Sequence, residues 1–373
     1  MTKKDSKFIP VFQPSISLND KLSVLKNLNS KNISGSSKTI SQFEDTISYT
    51  FERKYAVSVS NGSAALDLTF NLLNLNEDDE VIIPSFTIIS CLSAVIRSGA
   101  RPVFCDVDPL SWNMKIENVK AAYTAKTKCV LMVHTYGLTA DAEEIKKFCE
   151  DKSLILIEDT AEAHGQTYNG KKCGTFGKIS TLSFYANKHI TTGEGGMILT
   201  DNEEIYKNAL RMRNLDFNNK NRFQHDNLFW NYRLGGLQAA LGISQTKNLN
   251  KVIEKKIIQA KNYDNCLKGS VNLKLPLNET RSSVNHYWVY GILLKDGDRD
   301  ELQKYLLNFG IETRKFFWPL HLQNALPKKF VTNSELSVSE NLGNNGIYIP
   351  LGEHVKTKDQ NFIADRILNF FGN

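Results

Sequence analysis

The residue of this chain that promises the most chemistry is a lysine in a short turn. Lys188 lies in Ser-Phe-Tyr-Ala-Asn-Lys-His-Ile-Thr-Thr-Gly-Glu-Gly-Gly, residues 183 to 196. The run Ile179 to Tyr185 leads in as a strand. The glycine-rich turn Gly193 to Gly196 leads out to a second apolar run, Met197 to Thr200. An ammonium between two buried strands is costly unless it is paired. A lysine joined to a carbonyl as an imine avoids that cost, because the imine is neutral or only partly charged. Alone, any one of the 46 Lys and Arg residues is more simply a surface cation. Two further groups shift the balance. The apolar run Leu154 to Ile157 ends in Glu158-Asp159. Asp159 thus stands at the C-terminal end of a strand, where open α/β sheets gather ligand-binding residues. Tyr55 to Ser60 reads as another strand, followed by Asn61-Gly62-Ser63-Ala64-Ala65 and a helical stretch to Leu75. Small residues at a helix start leave N–H groups and a hydroxyl free for a phosphate.

A phosphate seat, a carboxylate and a lysine on one α/β scaffold point to pyridoxal 5'-phosphate. The lysine forms the Schiff base, the aspartate pairs with the pyridinium nitrogen and the helix start holds the phosphate. Each piece has a plainer reading when taken alone. Asn61 to Ala65 can be a tight turn with a helix cap, Asp159 can be a cap, and Ser183 can be a strand residue bonding the backbone. The ordered set carries the assignment.

These groups need elements to place them. Between residues 55 and 200 apolar runs alternate with helical patterns: Glu80 to Pro84, Pro102 to Val107, Cys129 to His134, Leu154 to Asp159 and Thr181 to Tyr185, with a helix over Ala140 to Asp151. The alternation predicts an α/β fold whose mostly parallel sheet is covered on both faces. The 373 residues allow two domains. We expect a large cofactor-binding domain over 1–250, including a polar N-terminal segment, and a small α+β domain over 251–373. Residues 233 to 264 read as one long helical stretch able to bridge them. His286 to Lys295 reads as a strand, and Asp298 to Phe309 and Gln360 to Phe371 as helices. The polar loop from Phe217 to Asn227 is expected to be mobile.

Composition narrows the function classes. With 41% apolar and 23% charged residues the chain reads as an ordinary soluble globular protein. The net charge of +6 is spread among interspersed acids and bases, a weak sign of anionic ligands and none of nucleic acid. The apolar stretch Val81 to Ile96 is broken by Pro84, Ser85, Thr87, Ser90 and Ser93, so no membrane span is expected. The first seven residues lack the apolar core of a signal peptide. The six cysteines, at 91, 105, 129, 149, 173 and 266, form no CxxC pair. They suggest neither a metal site nor a redox pair, and a reduced, cytoplasmic protein is expected.

At this point the residues resemble a known family, the sugar-nucleotide aminotransferases of the DegT/DnrJ/StrS group within the fold-type I pyridoxal phosphate enzymes. The resemblance runs from Ile9-Pro10-Val11 to about Leu326. It rests on Asn61-Gly-Ser-Ala-Ala-Leu66, Val81-Ile-Ile-Pro-Ser85, Gly99-Ala-Arg-Pro-Val-Phe104, His134-Thr-Tyr-Gly137, Glu158-Asp-Thr-Ala-Glu-Ala-His-Gly165 and Gly174-Thr-Phe-Gly177. Residues 183 to 196 and Trp230-Asn-Tyr-Arg-Leu-Gly-Gly-Leu-Gln-Ala-Ala240 complete the set. Residues 187 to 196 look closest to the branch that makes 4-amino sugars, such as the GDP-perosamine synthases.

The resemblance implies roles position by position. Lys188 is the Schiff-base lysine, Asp159 pairs with the pyridine nitrogen, and Glu162 lies near the ring oxygen. Ser63, the backbone at Ala64, and Ser183 hold the phosphate. Asn231 comes to the same phosphate from a partner subunit, which implies a homodimer with shared active sites; it also reads as a helix N-cap. Ile88 occupies the position where the family usually stacks an aromatic ring on the cofactor. Arg233 and Arg314 are candidates for a substrate diphosphate, or equally for ion pairs at the surface or between domains. The segment Phe316 to His321 matches one that lines the sugar pocket, with Phe317 and His321 against the sugar. His286 and Trp288 are in similar standing, although Tyr287 and Trp288 read more simply as core strand residues. The implied reaction moves an amino group from L-glutamate to a nucleotide-linked 4-keto-6-deoxyhexose, with GDP preferred over dTDP and UDP, in O-antigen or polysaccharide biosynthesis. Amination at C3, dehydration at C3 and a non-catalytic regulatory relative are the alternatives.

Overall fold

The alternating apolar runs build one large sheet, and a second, smaller sheet follows it in the chain. The computed structural model describes residues 8–217, 222–331 and 335–372. Two helices, α1 (Leu18–Asn29) and α2 (Lys38–Thr50), precede β1 (Tyr55–Val59). Strand and helix then alternate through α3 (Gly62–Asn71), β2 (Glu80–Pro84), α4 (Ile89–Arg97), β3 (Arg101–Cys105), α5 (Ile116–Ala122), β4 (Thr127–Val133), α6 (Ala142–Asp151) and β5 (Ile155–Asp159). A short hairpin, β6 (Thr167–Tyr168) and β7 (Lys171–Lys172), leads to β8 (Ile179–Ser183) and β9 (Gly196–Thr200). The strands of the large sheet pair in the order β1-β9-β8-β5-β4-β2-β3. The five from β8 to β3 are parallel, and β9 runs antiparallel to both its neighbours.

Successive side chains of a strand point to opposite faces, and here both faces are apolar. Val81, Ile83, Cys129, Leu131 and Val133 pack with Leu66, Phe70, Cys91 and Val95 of α3 and α4. Ile82, Val130 and Met132 pack on the other face with Val119, Ala142, Ile145 and Cys149 of α5 and α6. Helices on both faces are why these strands read as continuous apolar runs.

The polar N-terminal segment contains a helix, α1, started by a capping box in which the Ser17 hydroxyl and the Asp20 carboxylate each accept the other's backbone N–H. The stretch 233 to 264 is not one helix. After α7 (Glu203–Met212) come α8 (Gly236–Thr246) and α9 (Leu249–Leu267). The N–H groups of Lys247 and Asn248 reach only three residues back, to Ser244 and Gln245, and the chain turns there. The two halves have different partners. Gly242 of α8 sits so close to Phe43 that a Cβ would lie 2.4 Å from its ring. In α9, Leu249 and Ile253 join the core under β8 and β9, while Ala260, Tyr263 and Leu267 join that of the second sheet.

The second sheet is antiparallel, in the order β10 (Leu273–Lys274), β11 (Tyr290–Leu294), β13 (Gly346–Ile349) and β12 (Arg314–Lys315). It carries α10 (Arg299–Asn308), α11 (Ser337–Asn345) and α12 (Thr357–Phe370). Ile9 joins this second core and bridges to Ile311. The boundary expected at 250/251 falls inside α9. The strand expected from His286 starts only at Tyr290, because Tyr287 has a φ of 49° and its N–H passes against Gly137, where a Cβ would be 2.5 Å away. Residues 218–221 of the loop expected to be mobile lie outside the described residues. Among the described residues no helix is long and apolar enough to cross a membrane.

Candidate active site

The ends of β5 and β8, the starts of α3 and α4, and the edge of the second sheet surround a cavity of about 530 Å³. Lys188, Asp159, Glu162, Ser63, Ser183, Ile88, Arg314 and Phe317 all line it. Residues 125 positions apart in sequence, Ser63 and Lys188, thus share one wall.

The helix start is built by close packing. Asn61 caps α3 by accepting the Ala64 N–H at 2.8 Å. The Ala64 donor is therefore already used, and the N–H groups of Gly62 and Ser63 are the first-turn donors without an intrahelical acceptor. Gly62 is required where it stands: a Cβ there would lie 2.8 Å from the Ser183 Cβ. The Ser63 hydroxyl lies 2.7 Å from that of Ser90, in the first turn of α4. Two helix starts and the Ser183 hydroxyl therefore face one end of the cavity, a set of neutral donors suited to a phosphate. Ile88, half-exposed at the N-cap of α4, lines the same cavity.

Charge is concentrated at the other end. Asp159 is buried; its Oδ1 accepts the Ala161 N–H at 3.0 Å and its Oδ2 meets the Cys91 thiol at 3.6 Å. Burial holds its carboxyl above the ordinary aspartate range, against the pull of Ala161 and Lys188. Glu162 accepts the Tyr136 N–H at 3.0 Å and faces the Lys188 Nζ at 3.7 Å. Burial pushes Glu162 up and Lys188 down, while each one's charge pulls the other back. A lysine whose ammonium is disfavoured by burial is set to act as a neutral amine. Lys188 Nζ also lies 3.8 Å from the centre of the Trp288 ring.

The residues present fit pyridoxal phosphate on their own chemistry. A half-paired buried carboxylate can take a cationic ring N–H, a buried amine can take the aldehyde, and the uncharged donors at the helix starts can take the phosphate. A carboxylate with few donors is a costly thing to keep buried without such a partner.

Three expected residues lie elsewhere. Asn231 is exposed and bridges to Asn214. Arg233 donates to the Asn214 side chain at 2.6 Å and lines a surface groove with Gly35, Arg211 and Phe217. Neither lines the cavity. His321 is buried with both ring nitrogens engaged, Nδ1 with the Ser85 hydroxyl at 2.6 Å and Nε2 with Glu340 at 3.2 Å. Arg314 does reach the cavity, beside the Phe12 ring at 5.0 Å and Glu312 at 3.7 Å. Phe317 stacks on Trp288 with ring centres 6.2 Å apart. Sequence reasoning set the core reading of Trp288 above its candidacy for the pocket, yet the residue is buried and borders the lysine; Ser90 and Tyr348 were missed. The only signal for Ser90 was its place two residues after Ile88.

Comparison with known proteins agrees with this geometry. Residues 14–368 match the model of the DegT/DnrJ/EryC1/StrS aminotransferase family. The chain is 35% identical over 367 residues to a GDP-perosamine synthase of Escherichia coli O157:H7, covering 98% of this chain and 99% of that one. The aminotransferase TlmJ from Streptoalloteichus hindustanus superposes with a TM-score of 0.91 at 26% identity, over 98% of this chain and 100% of that one. An E. coli GDP-4-keto-6-deoxy-D-mannose-3-dehydratase with bound hydrated PLP superposes with a TM-score of 0.88 at 26% identity, over 96% of this chain and 99% of that one.

Proposed function

The chain belongs to the DegT/DnrJ/EryC1/StrS aminotransferase family, and we propose that within it the protein aminates C4 of a GDP-linked 4-keto-6-deoxyhexose, with L-glutamate as the amino donor. It is a pyridoxal-phosphate-dependent sugar aminotransferase. The observation that carries this reading is the convergence of Lys188, Asp159 and Ser63 on one cavity. When bound, the cofactor supplies an electrophilic carbonyl and an electron sink through which an amino group can move between carbon skeletons.

The chain's own residues do the rest. Ser63, Ser183 and the first turn of α3 bind the phosphate. Asp159, as the ionised carboxylate, would hold a proton at the ring nitrogen by its charge, with Lys188 pulling against the burial that raises its proton affinity. Lys188 would hold the cofactor through Nζ and, as a free neutral amine, would take up at Nζ the proton that leaves the donor's Cα. Glu162, 3.7 Å away, orients that amine. Arg314 meets the substrate's diphosphate as a two-pronged donor, and Phe317 and Trp288 form an apolar wall for the sugar. Asn231 and Arg233 serve a neighbouring subunit's cavity in a homodimer, which accounts for their absence from this one. The large and small domains meet within α9, whose two ends pack on different cores, and the six free cysteines suit a cytoplasmic enzyme. The identity to a GDP-perosamine synthase over nearly the whole chain supports an aminotransferase over the C3 dehydratase.

Protein supplied with pyridoxal phosphate is expected to show a visible absorption band that borohydride abolishes, and to move nitrogen from glutamate into a keto-sugar nucleotide. Lys188→Ala should show neither. A wild type that turns the keto-sugar over without incorporating nitrogen would move the assignment to the dehydratase.

A further inference from the structure

We propose that Phe12 is a positioning residue for Arg314, held by an N-terminal strap so that the arginine is aimed at the substrate's diphosphate before it binds. The proposal rests on the reading of Arg314 as the cation that meets that diphosphate. The strap, residues 9–15, is tied down along its length. The Ile9 N–H donates to the Gly310 carbonyl at 2.8 Å, and the Ile9 carbonyl accepts the Glu312 N–H at 3.0 Å. The Pro10 carbonyl accepts from the His354 Nε2 at 2.8 Å, and the Val11 N–H donates to the Glu312 Oε2 at 2.9 Å. The Ser15 hydroxyl donates to Glu353. These partners come from two segments only, 310–312 just before β12 and 353–354 after β13. The strap thus lies along the path of the chain into Arg314.

The ring that this strap presents is half-buried, and it stands between Arg314 and Tyr185. The Arg314 guanidinium carbon lies over it, 5.0 Å from its centre, and the Tyr185 ring centre is 6.4 Å away. Arg314 and Tyr185 line the cavity of the reacting groups, while Phe12 lines a neighbouring cavity of about 390 Å³. Phe12 is therefore the backing of the arginine, on the side away from the cofactor seat. Arg314 has little else to fix it. Its strand, β12, is only two residues long. Its ion pair with the Glu312 Oε1 spans 3.7 Å, which is beyond hydrogen-bond distance. A carboxylate closed on the edge of the guanidinium would repel a diphosphate; Val11 keeps the other oxygen of Glu312 with the strap. The next cation, Lys315, points to the other face of the strand and is taken by Asp300 at 2.7 Å. An arginine resting on a ring is held in one plane and keeps the N–H groups of its edge for an anion. Ordering it in advance removes a cost that substrate binding would otherwise carry.

The test is a double-mutant cycle on the holoenzyme, with GDP as the titrant in calorimetry. Arg314→Met should weaken GDP binding by about tenfold or more. Phe12→Leu, which keeps an apolar side chain but no ring face, should weaken it by about two- to fivefold. In the Arg314→Met background the same change should do nothing further. Phe12→Trp offers a better ring face and should bind GDP at least as well as the wild type. The affinity for pyridoxal phosphate should be the same in all four variants. Full GDP affinity in Phe12→Leu overturns the proposal. So does an equal fold-loss from Phe12→Leu in both backgrounds, which would show that Phe12 does not act through the arginine. Arg314→Met that binds GDP like the wild type would instead overturn the reading of Arg314. A wild type that prefers dTDP or UDP would change the nucleotide of that reading, and the same cycle with the preferred diphosphate still decides the role of Phe12.

Discussion

Glu158 and Asp159 are neighbours on β5, equally buried, and treated in opposite ways by the fold. Glu158 points to the rear of the sheet and is saturated with donors. It accepts the N–H groups of Gly174 at 2.6 Å, Phe176 at 2.8 Å and Gly177 at 3.0 Å, the Ser180 hydroxyl at 3.1 Å, and the His134 Nε2 at 3.1 Å. Burial alone would raise its proton affinity, yet His134 and the backbone donors reverse the sign and hold it below the ordinary glutamate range. Asp159 points to the front, has one backbone N–H and a thiol, and is held above the ordinary aspartate range. A satisfied buried carboxylate holds a loop; an under-satisfied one waits for a ligand. The contrast also explains the rear cluster of His134, Glu158 and Cys173, whose side-chain atoms lie within 4.8 Å of one another. The spacing would suit a metal, but the carboxylate oxygens and both His134 nitrogens already have protein partners.

The largest expected effect comes from breaking the front half of this pair. Asp159→Asn keeps the shape but cannot hold a proton on the ring nitrogen by charge. Amino transfer should fall by about 10³-fold, or about 4 kcal/mol in transition-state stabilisation. Stability should not fall with it, because a desolvated charge is removed. Thermal melting of the apoprotein beside steady-state rates separates the two. A large drop in melting temperature would make Asp159 structural and erase the comparison.

Glu158→Gln should do the reverse. It leaves backbone N–H groups facing an amide that accepts at one atom only, so about 2–3 kcal/mol of stability is expected to go. Activity per folded molecule should change far less than for Asp159→Asn. The pH dependence has a definite sign. A glutamate held below its unfolded value contributes stability above that value and loses it as pH falls through the folded one. The wild type should therefore lose stability in acid more steeply than Glu158→Gln. Parallel acid titrations of the two would remove the explanation.

What could be read in the sequence was local. The end of β5, the start of α3 and the turn with Lys188 each lie within a dozen residues, where strand endings, small residues and glycines have direct conformational meaning. What escaped was set by contacts between distant segments. Trp288 looks like any strand aromatic until Asn187, 101 positions earlier, accepts its indole N–H. His321 looks like a ligand for a sugar until Ser85 and Glu340 occupy its ring. The break between α8 and α9 carries no proline, because it is imposed by the cores on which the two helices pack. Even the Glu158-Asp159 pair is ambiguous in sequence, since only the donors arriving from Gly174 to Ser180 distinguish the two.

The smallest expected effect concerns the phosphate end, which should behave like the front of the sheet without carrying charge. Ser63 has a hydroxyl partner, Ser90 at 2.7 Å, and its residue is not fully buried. Ser63→Ala removes one neutral hydrogen bond to the phosphate, worth about 1 kcal/mol, or roughly fivefold in cofactor affinity. Apoprotein stability should stay within about 0.5 kcal/mol, since Ser90 can turn to water. Because the two hydroxyls touch, Ser63→Ala and Ser90→Ala should not be additive: the double variant should lose less affinity than the two single losses combined. Dissociation constants from absorbance titration of the three variants decide it. Strict additivity would mean that the hydroxyls act on separate ligand atoms. A stability loss without an affinity loss would place Ser63 with Glu158, among the groups that hold the fold and not the cofactor.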